Sequence, residues 1–215
     1  MPFLDLSHTI EHGMTTHPGL PGPLICDFLS RELSRGRYAP GVEFQIGRFE
    51  MVANTGSYVD SPFHRYADGK DLSALPLESL AGLEAVLVDG GRSGAVGPEA
   101  FFRRNVRGKA VLVRTGWDAH WGTPAYLADN PFLTAEAAAY LAAQGAALVG
   151  IDSVNIDDLS DLARPVHSTL LGAEIPIVEH LCNLGRLPAE GFTFTAVPPR
   201  VAGVGTWAVR AFATL

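Results

Sequence analysis

Asp60 and His64 stand four residues apart in Asn54-Thr-Gly-Ser-Tyr-Val-Asp60-Ser-Pro-Phe-His64. A carboxylate and an imidazole at that spacing are of the types that bind divalent cations or move protons. Pro62 between them argues against a helix and for an extended or turning loop, on which Asp60, Pro62 and His64 can face one side. Gly56 permits a close backbone approach. His167 is followed twelve residues later by Glu179, with Pro176 between them. Two further clusters are Asp5-Leu-Ser-His8 and Gly150-Ile-Asp152-Ser-Val-Asn-Ile-Asp157. Each has an ordinary explanation. An Asp before Ser-Pro commonly accepts from nearby backbone N–H groups in a turn, and the first cluster can be a strand end. His12, His17, His120 and His180 are read as surface or satisfied core residues.

Such side chains need a scaffold, and the chain reads as β-rich. Val42 to Val52 has strand character, with an irregularity expected at Gly47. Short apolar runs at Ala85–Val88, Ala110–Val113 and Ala147–Ile151 read as buried strands. Between the last two, Thr134 is an N-cap for a helix over Ala135–Gln144, with Gly145 just past its end. Further strands are expected at Phe192–Val197 and Trp207–Phe212. The alternating Pro and Gly of His17–Pro23 exclude both helix and strand there. The fold class is therefore α/β: a single mixed, β-rich domain with flanking helices.

At 215 residues the chain suits one domain, over 1–215, with a substantial core. Its 47% hydrophobic and 18% charged content is that of a globular protein. A formal charge of −7 without a basic cluster excludes nucleic acid as the main partner. No apolar run approaches the roughly 20 residues that cross a bilayer, so no membrane role is expected. The opening MPFLDLSH has neither the basic nor the apolar region of a signal peptide. Cys26 and Cys182 lie far apart and read as ordinary thiols, and a cytoplasmic setting is expected.

The segment Asn54–His64 resembles the signature H-x-G-T-H-x-D-x-P-x-H of the cyclase family of metal-dependent hydrolases, whose members include kynurenine-formamidase-like enzymes and isatin hydrolase. Gly56, Asp60, Pro62 and His64 match it, Ser57 replaces Thr, and Asn54 and Tyr58 stand where the pattern has histidines. The likeness continues in DLSHTIEHGM and HPG, where His17 replaces the usual Trp, and in VLVRTGWDAHW and GIDSVNID. His167 and Glu179 keep the family spacing, and the ending FTFTAVPPR…VRAFA is similar too. The resemblance implies a fold of the swivelling β/β/α, cyclase-like type. It also implies a homodimer or homotetramer, with an N-terminal arm at about 12–41 that crosses to a neighbour.

Carried over residue by residue, the resemblance makes Asp60, His167 and Glu179 metal ligands and His64 the acid/base group or a further ligand. Neither Asn54 nor Tyr58 replaces a histidine chemically. A neutral amide is a poor zinc ligand, and a phenol must first lose a proton with an ordinary pKa of about 10. One divalent cation, zinc or manganese, is expected where two would otherwise sit. A metal-free alternative stays open, with Tyr58 and Asn54 donating to a developing oxyanion and His64 as a base oriented by Asp60. The expected activity is hydrolysis of C–N or C–O bonds in small amides, lactams or lactones. A cyclase or dehydratase-type tailoring enzyme and a catalytically inactive small-molecule-binding homologue are the alternatives.

Overall fold

The computed structural model of the protein describes residues 1–92 and 94–215. In chain order the strands are β1 (Phe3–Asp5), β2 (Leu24–Leu29), β3 (Ile46–Glu50), β4 (Tyr58–Asp60), β5 (Leu83–Asp89), β6 (Ala95–Val96) and β7 (Ala110–Arg114). They continue as β8 (Phe132–Leu133), β9 (Leu148–Ile151), β10 (Ile177–Glu179), β11 (Phe192–Thr195), β12 (Thr206–Ala208) and β13 (Phe212–Thr214). Among the described residues three α-helices accompany them: α1 (Arg31–Ser34), α2 (Ala135–Gln144) and α3 (Pro165–Gly172).

Among the described residues, nine strands form one mixed sheet in the order β1-β13-β11-β5-β7-β9-β10-β4-β12. Its centre, β5-β7-β9-β10, is parallel, and the outer pairs are antiparallel. Parallel strands need both faces covered, and the central sequences are accordingly apolar throughout. Alternation then divides them. On β7, Ala110 and Leu112 enter one core, with Val59, Val178 and Phe194. Val111 and Val113 enter the other, with Leu141 of α2 and Leu170 of α3. Each such side chain, once fully buried, stabilises the fold by about 1.5–3 kcal/mol. Truncating Leu112 to Ala at this sheet centre would cost roughly 2–5 kcal/mol.

The local expectations for α2 hold. The Thr134 side chain accepts from the Ala137 N–H, and Gly145 takes the left-handed conformation that closes the helix. The runs at 85–88, 110–113 and 147–151 fall in β5, β7 and β9. Other expectations need correction. The strand read at 42–52 is confined to 46–50, and the one read at 207–212 is two strands, β12 and β13, separated by Val209–Ala211. Those three residues leave the ladder because Ala211 pairs instead with Ser7 and Leu6 of the N-terminal segment. Helix α3 carries no helix signal that the sequence reading used.

Among the described residues β2 and β3 pair only with each other, as an antiparallel ribbon whose register shifts between Asp27 and Leu29, opposite Gly47. The ribbon stands clear of the core. Phe28 is 72% and Phe49 64% exposed, and Ile25, Phe44 and Ile46 also face outward.

Candidate active site

The site forms where β4 lies between β10 and β12. Val59 points into the core, so period-2 alternation turns its neighbours Tyr58 and Asp60 to the opposite face. Cross-strand register supplies their partners: Glu179 of β10 lies opposite Tyr58, and Thr206 of β12 lies opposite Asp60. After β4 the chain turns in one 3₁₀ turn, Pro62–His64, which begins on a proline whose missing N–H is not needed there. The turn is pressed against β12 so closely that any side chain at Gly205 would overlap the His64 backbone.

His167 sits in the first turn of α3, and Asp157 sets its orientation. One Asp157 oxygen accepts from the Val166 N–H at 2.7 Å, while the other accepts from the His167 N–H at 3.0 Å and contacts His167 Nδ1 at 2.6 Å. The proton on Nδ1 is thereby held toward Asp157, which turns Nε2 the opposite way. His167 Nε2 lies 3.7 Å from Asp60 Oδ2 and 3.7 Å from Glu179 Oε1. Burial would lower the His167 pKa, but the hydrogen bonds to Asp157 and Asp60 and the charges of Glu179 and Asp60 outweigh it, pushing it up to about 10.

Asp60 is fully buried. Its Oδ1 accepts from the Thr206 hydroxyl, and its Oδ2 is buried without any partner. Leaving a carboxylate oxygen unpaired in the interior costs roughly 1–3 kcal/mol or more, so a positive group belongs beside it. Thr206 Oγ1 also lies 2.8 Å from His64 Nδ1, while Asp60 Oδ1 is 3.7 Å from that nitrogen. Since the Thr206 proton goes to Asp60, Nδ1–H of His64 donates to Thr206 and the His64 Nε2 lone pair is free. The His64 side chain is 36% exposed, so it is reachable from the cavity.

Glu179 is fully buried too, and its Oε1 accepts from the Ile156 N–H at 2.7 Å. Its Oε2 accepts from the Tyr58 hydroxyl at 2.6 Å. Burial raises the Glu179 carboxyl above its usual range, against the pull of the His167 charge. Burial and the Glu179 and Asp60 charges hold the Tyr58 phenol well above 10. On the far side of Tyr58, His17 Nε2 lies 2.9 Å from the phenol and 3.3 Å from His180 Nε2. Burial lowers the pKa of both imidazoles, that of His180 well below the ordinary value.

A cavity of about 200 Å³ is lined by Asn54, Tyr58, His64, His167 and Glu179, together with His17, Asn155, Arg65 and Arg164. Asp60 sits behind that wall. The six residues singled out in the sequence thus converge in one place. Larger clefts of about 600 and 610 Å³ lie beside Trp121 and beside Trp207, and neither is lined by Asp60, His64, His167 or Glu179. The chemistry, and not the volume, marks the site.

One of the sequence readings is corrected. His17, read as a surface or satisfied core residue, instead lines the cavity, whereas His180 packs behind it as the satisfied core residue expected, fully buried with its ring nitrogens against Tyr126 and His17. Asp157 and His167 were each visible in the sequence, but their pairing was not. Thr206 gave no signal at all. By contrast, His12 accepts from the Ile25 N–H on the exposed arm, and Asp5 pairs with Arg210 outside the cavity. Asp152 holds the turn at Thr115 and Gly116.

The donor set fits a divalent cation. Asp60, His64 and His167 present ligand atoms that all lie within 4.8 Å of one another, and one of the facing carboxylate oxygens has no other partner. Among curated relatives, the chain is 29% identical over 180 residues to the kynurenine formamidase of Bacillus cytotoxicus, covering 83% of this chain and 81% of that one. Its fold is similar to isatin hydrolase A from Ralstonia solanacearum, with a TM-score of 0.82 at 22% identity over 99% of this chain and 91% of that one. A structure described as a potential metal-dependent hydrolase with cyclase activity superposes with a TM-score of 0.80 at 23% identity, covering 99% and 96%. Residues 4–158 match the family model described as "Putative cyclase", which is more than half of the sequence, and the chain therefore belongs to the cyclase family.

Proposed function

We propose that this chain is a metal-dependent hydrolase of C–N or C–O bonds in small amides, lactams or lactones. One divalent cation, zinc or manganese, would be held by Asp60, His167 and Glu179, and His64 would serve as the acid/base group. The observation that carries this reading is the buried, unpartnered Oδ2 of Asp60, 3.7 Å from the His167 Nε2 that Asp157 turns toward it. When bound, such an ion supplies Lewis acidity toward a carbonyl and makes water acidic enough to react near neutral pH.

The protein's own groups do the rest. His64 presents a free Nε2 to the cavity, where it can take a proton from attacking water and return it to the leaving nitrogen or oxygen. Thr206 holds the other ring nitrogen, and Asp60 holds Thr206, so the imidazolium that forms during transfer is supported by a buried carboxylate through one hydroxyl. Asn54 lines the cavity and has amide protons available for a substrate oxygen. Tyr58 contributes its wall, with its proton donated to Glu179. The cavity volume of about 200 Å³ suits a small substrate.

The test is turnover of an aryl formamide and of isatin, the chemistries that the relatives' names carry. Activity that is lost on chelation, returns with zinc or manganese, and is absent in His64→Ala supports the reading. Binding without turnover in metal-loaded protein would overturn it in favour of an inactive binding homologue.

We also infer a single domain over 1–215 whose N-terminal arm joins two or more copies. The exposed apolar face of the β2–β3 ribbon supports this, since a lone chain would leave Ile25, Phe28, Phe44 and Phe49 in water. A sedimentation profile with only monomer would remove it. No described helix is long and apolar enough to cross a membrane. The two free cysteines support a cytoplasmic setting as part of the same proposal.

A further inference from the structure

We propose a second cation site, formed by His17, His180 and Glu179, that takes a zinc-like divalent ion beside the one assigned to Asp60, His167 and Glu179. It goes beyond the proposed function and shares only Glu179 with it. The three side chains present one ligand atom each, all within 4.8 Å of one another. They come from widely separated parts of the chain: His17 from the proline-rich turn, and Glu179 and His180 from the end of β10.

The convergence of the two imidazoles is the decisive feature. His17 Nε2 and His180 Nε2 lie 3.3 Å apart, with the Tyr58 hydroxyl 2.9 Å from the same His17 nitrogen, so both rings aim at one point and an entering ion would replace the proton held there. Zn–N bonds of about 2.0–2.1 Å at a tetrahedral angle place neighbouring ligand atoms about 3.4 Å apart, so the observed spacing suits two ligands of one ion. The outer nitrogen of His180 is already engaged. Tyr126 Oη lies 2.9 Å from His180 Nδ1, the kind of outer hydrogen bond that fixes a metal-binding imidazole. His17 lines the cavity, which gives an ion a path inward, and two imidazoles with one carboxylate leave a fourth position open for water or substrate. Tyr58 continues to donate to the Glu179 oxygen it already holds.

The experiment is metal counting on the intact protein. Chelator-stripped protein is titrated with Co²⁺, followed by its visible absorption, and with Zn²⁺ by calorimetry, for wild type, His17→Gln, His180→Gln and Asp60→Asn. Wild type is expected to take up about two ions, and each single variant about one. Folding of the variants is checked by circular dichroism, but the wild-type count decides without them. A wild-type count of one ion that Asp60→Asn abolishes and His17→Gln leaves intact overturns the second site and keeps the first. The reverse pattern overturns the first site and keeps the second. No uptake at all overturns both, and the imidazole pair is then joined by a shared proton only.

Discussion

Glu179 divides the site into two halves that spend their polar groups differently. On one side, Asp157 takes the outer nitrogen of His167 and Thr206 takes one oxygen of Asp60, which leaves His167 Nε2 and Asp60 Oδ2 unengaged and facing each other. On the other side, Tyr58 donates to Glu179 and contacts His17, and His17 contacts His180. The first half is held open by partners placed behind its ligands. The second is closed on itself, so an incoming ion must displace a proton from between the two imidazoles. The same kinds of side chain thus give an open receptor or a hydrogen-bonded network, and the difference lies in which ring nitrogen the surrounding groups occupy.

The largest expected effect belongs to the open half. His64→Ala should lower kcat/KM by roughly 10²–10⁴-fold, the usual contribution of a positioned acid/base group, while the ion content stays unchanged. Undiminished turnover in that variant would remove His64 from the chemistry. Asp157→Asn keeps the shape but loses the charge that orients His167. It should weaken ion binding in the open half by roughly 10–100-fold, measured by competition with a chelator. Equal affinity in that variant would mean that Asp157 only caps α3.

Thr206→Val tests the link between Asp60 and His64. Losing a hydrogen bond to a charged group is worth about 1.5–3 kcal/mol, so kcat should fall by roughly 10–100-fold with little change in KM or ion content. A drop confined to KM would place Thr206 in substrate binding. In the closed half, Tyr58→Phe leaves a Glu179 oxygen and His17 without the phenol. It should lower unfolding stability by roughly 1–3 kcal/mol and leave turnover within a few-fold, which denaturant unfolding and steady-state rates can separate. A collapse of turnover with unchanged stability would instead give the phenol a direct role in the reaction.

The smallest effect concerns the packing behind the closed half. His8 stacks on Trp121, whose ring contacts His180. Burial lowers the His8 pKa to about 4, against the raising effect of the Asp118 charge. Between the ordinary value near 6.5 and about 4, the unfolded chain binds the proton and the folded one does not. Stability from this group is therefore present above about 6.5 and lost as the pH falls toward 4. His8→Gln should flatten that part of a melting-temperature profile, and an unchanged slope would assign the acid loss to other groups.

The side chains of the open half were picked out in advance by local spacing, Asp60 with His64 on one turn and His167 twelve residues before Glu179, although their ligand roles came only from the family resemblance. Helix α2 was legible for a related reason, since its capping residues lie next to the segment they cap. The closed half was not, although His17 and His180 were in plain view. Their meaning depends on a contact between residues 163 positions apart, and no local pattern encodes such a separation.

The sequence by itself determined the residue types available for chemistry, the apolar alternation that builds the sheet, and the presence of Asn54 and Tyr58 where the resemblance leads one to expect histidines. Only the tertiary structure decided which groups meet. Antiparallel pairing of β4 with β10 set Glu179 against Tyr58, and pairing with β12 set Thr206 against Asp60. Strand register is a long-range choice, made by burying whole faces at once. For that reason the partners behind each candidate ligand, and with them the ring nitrogens left facing the site, came from the fold and not from the local sequence.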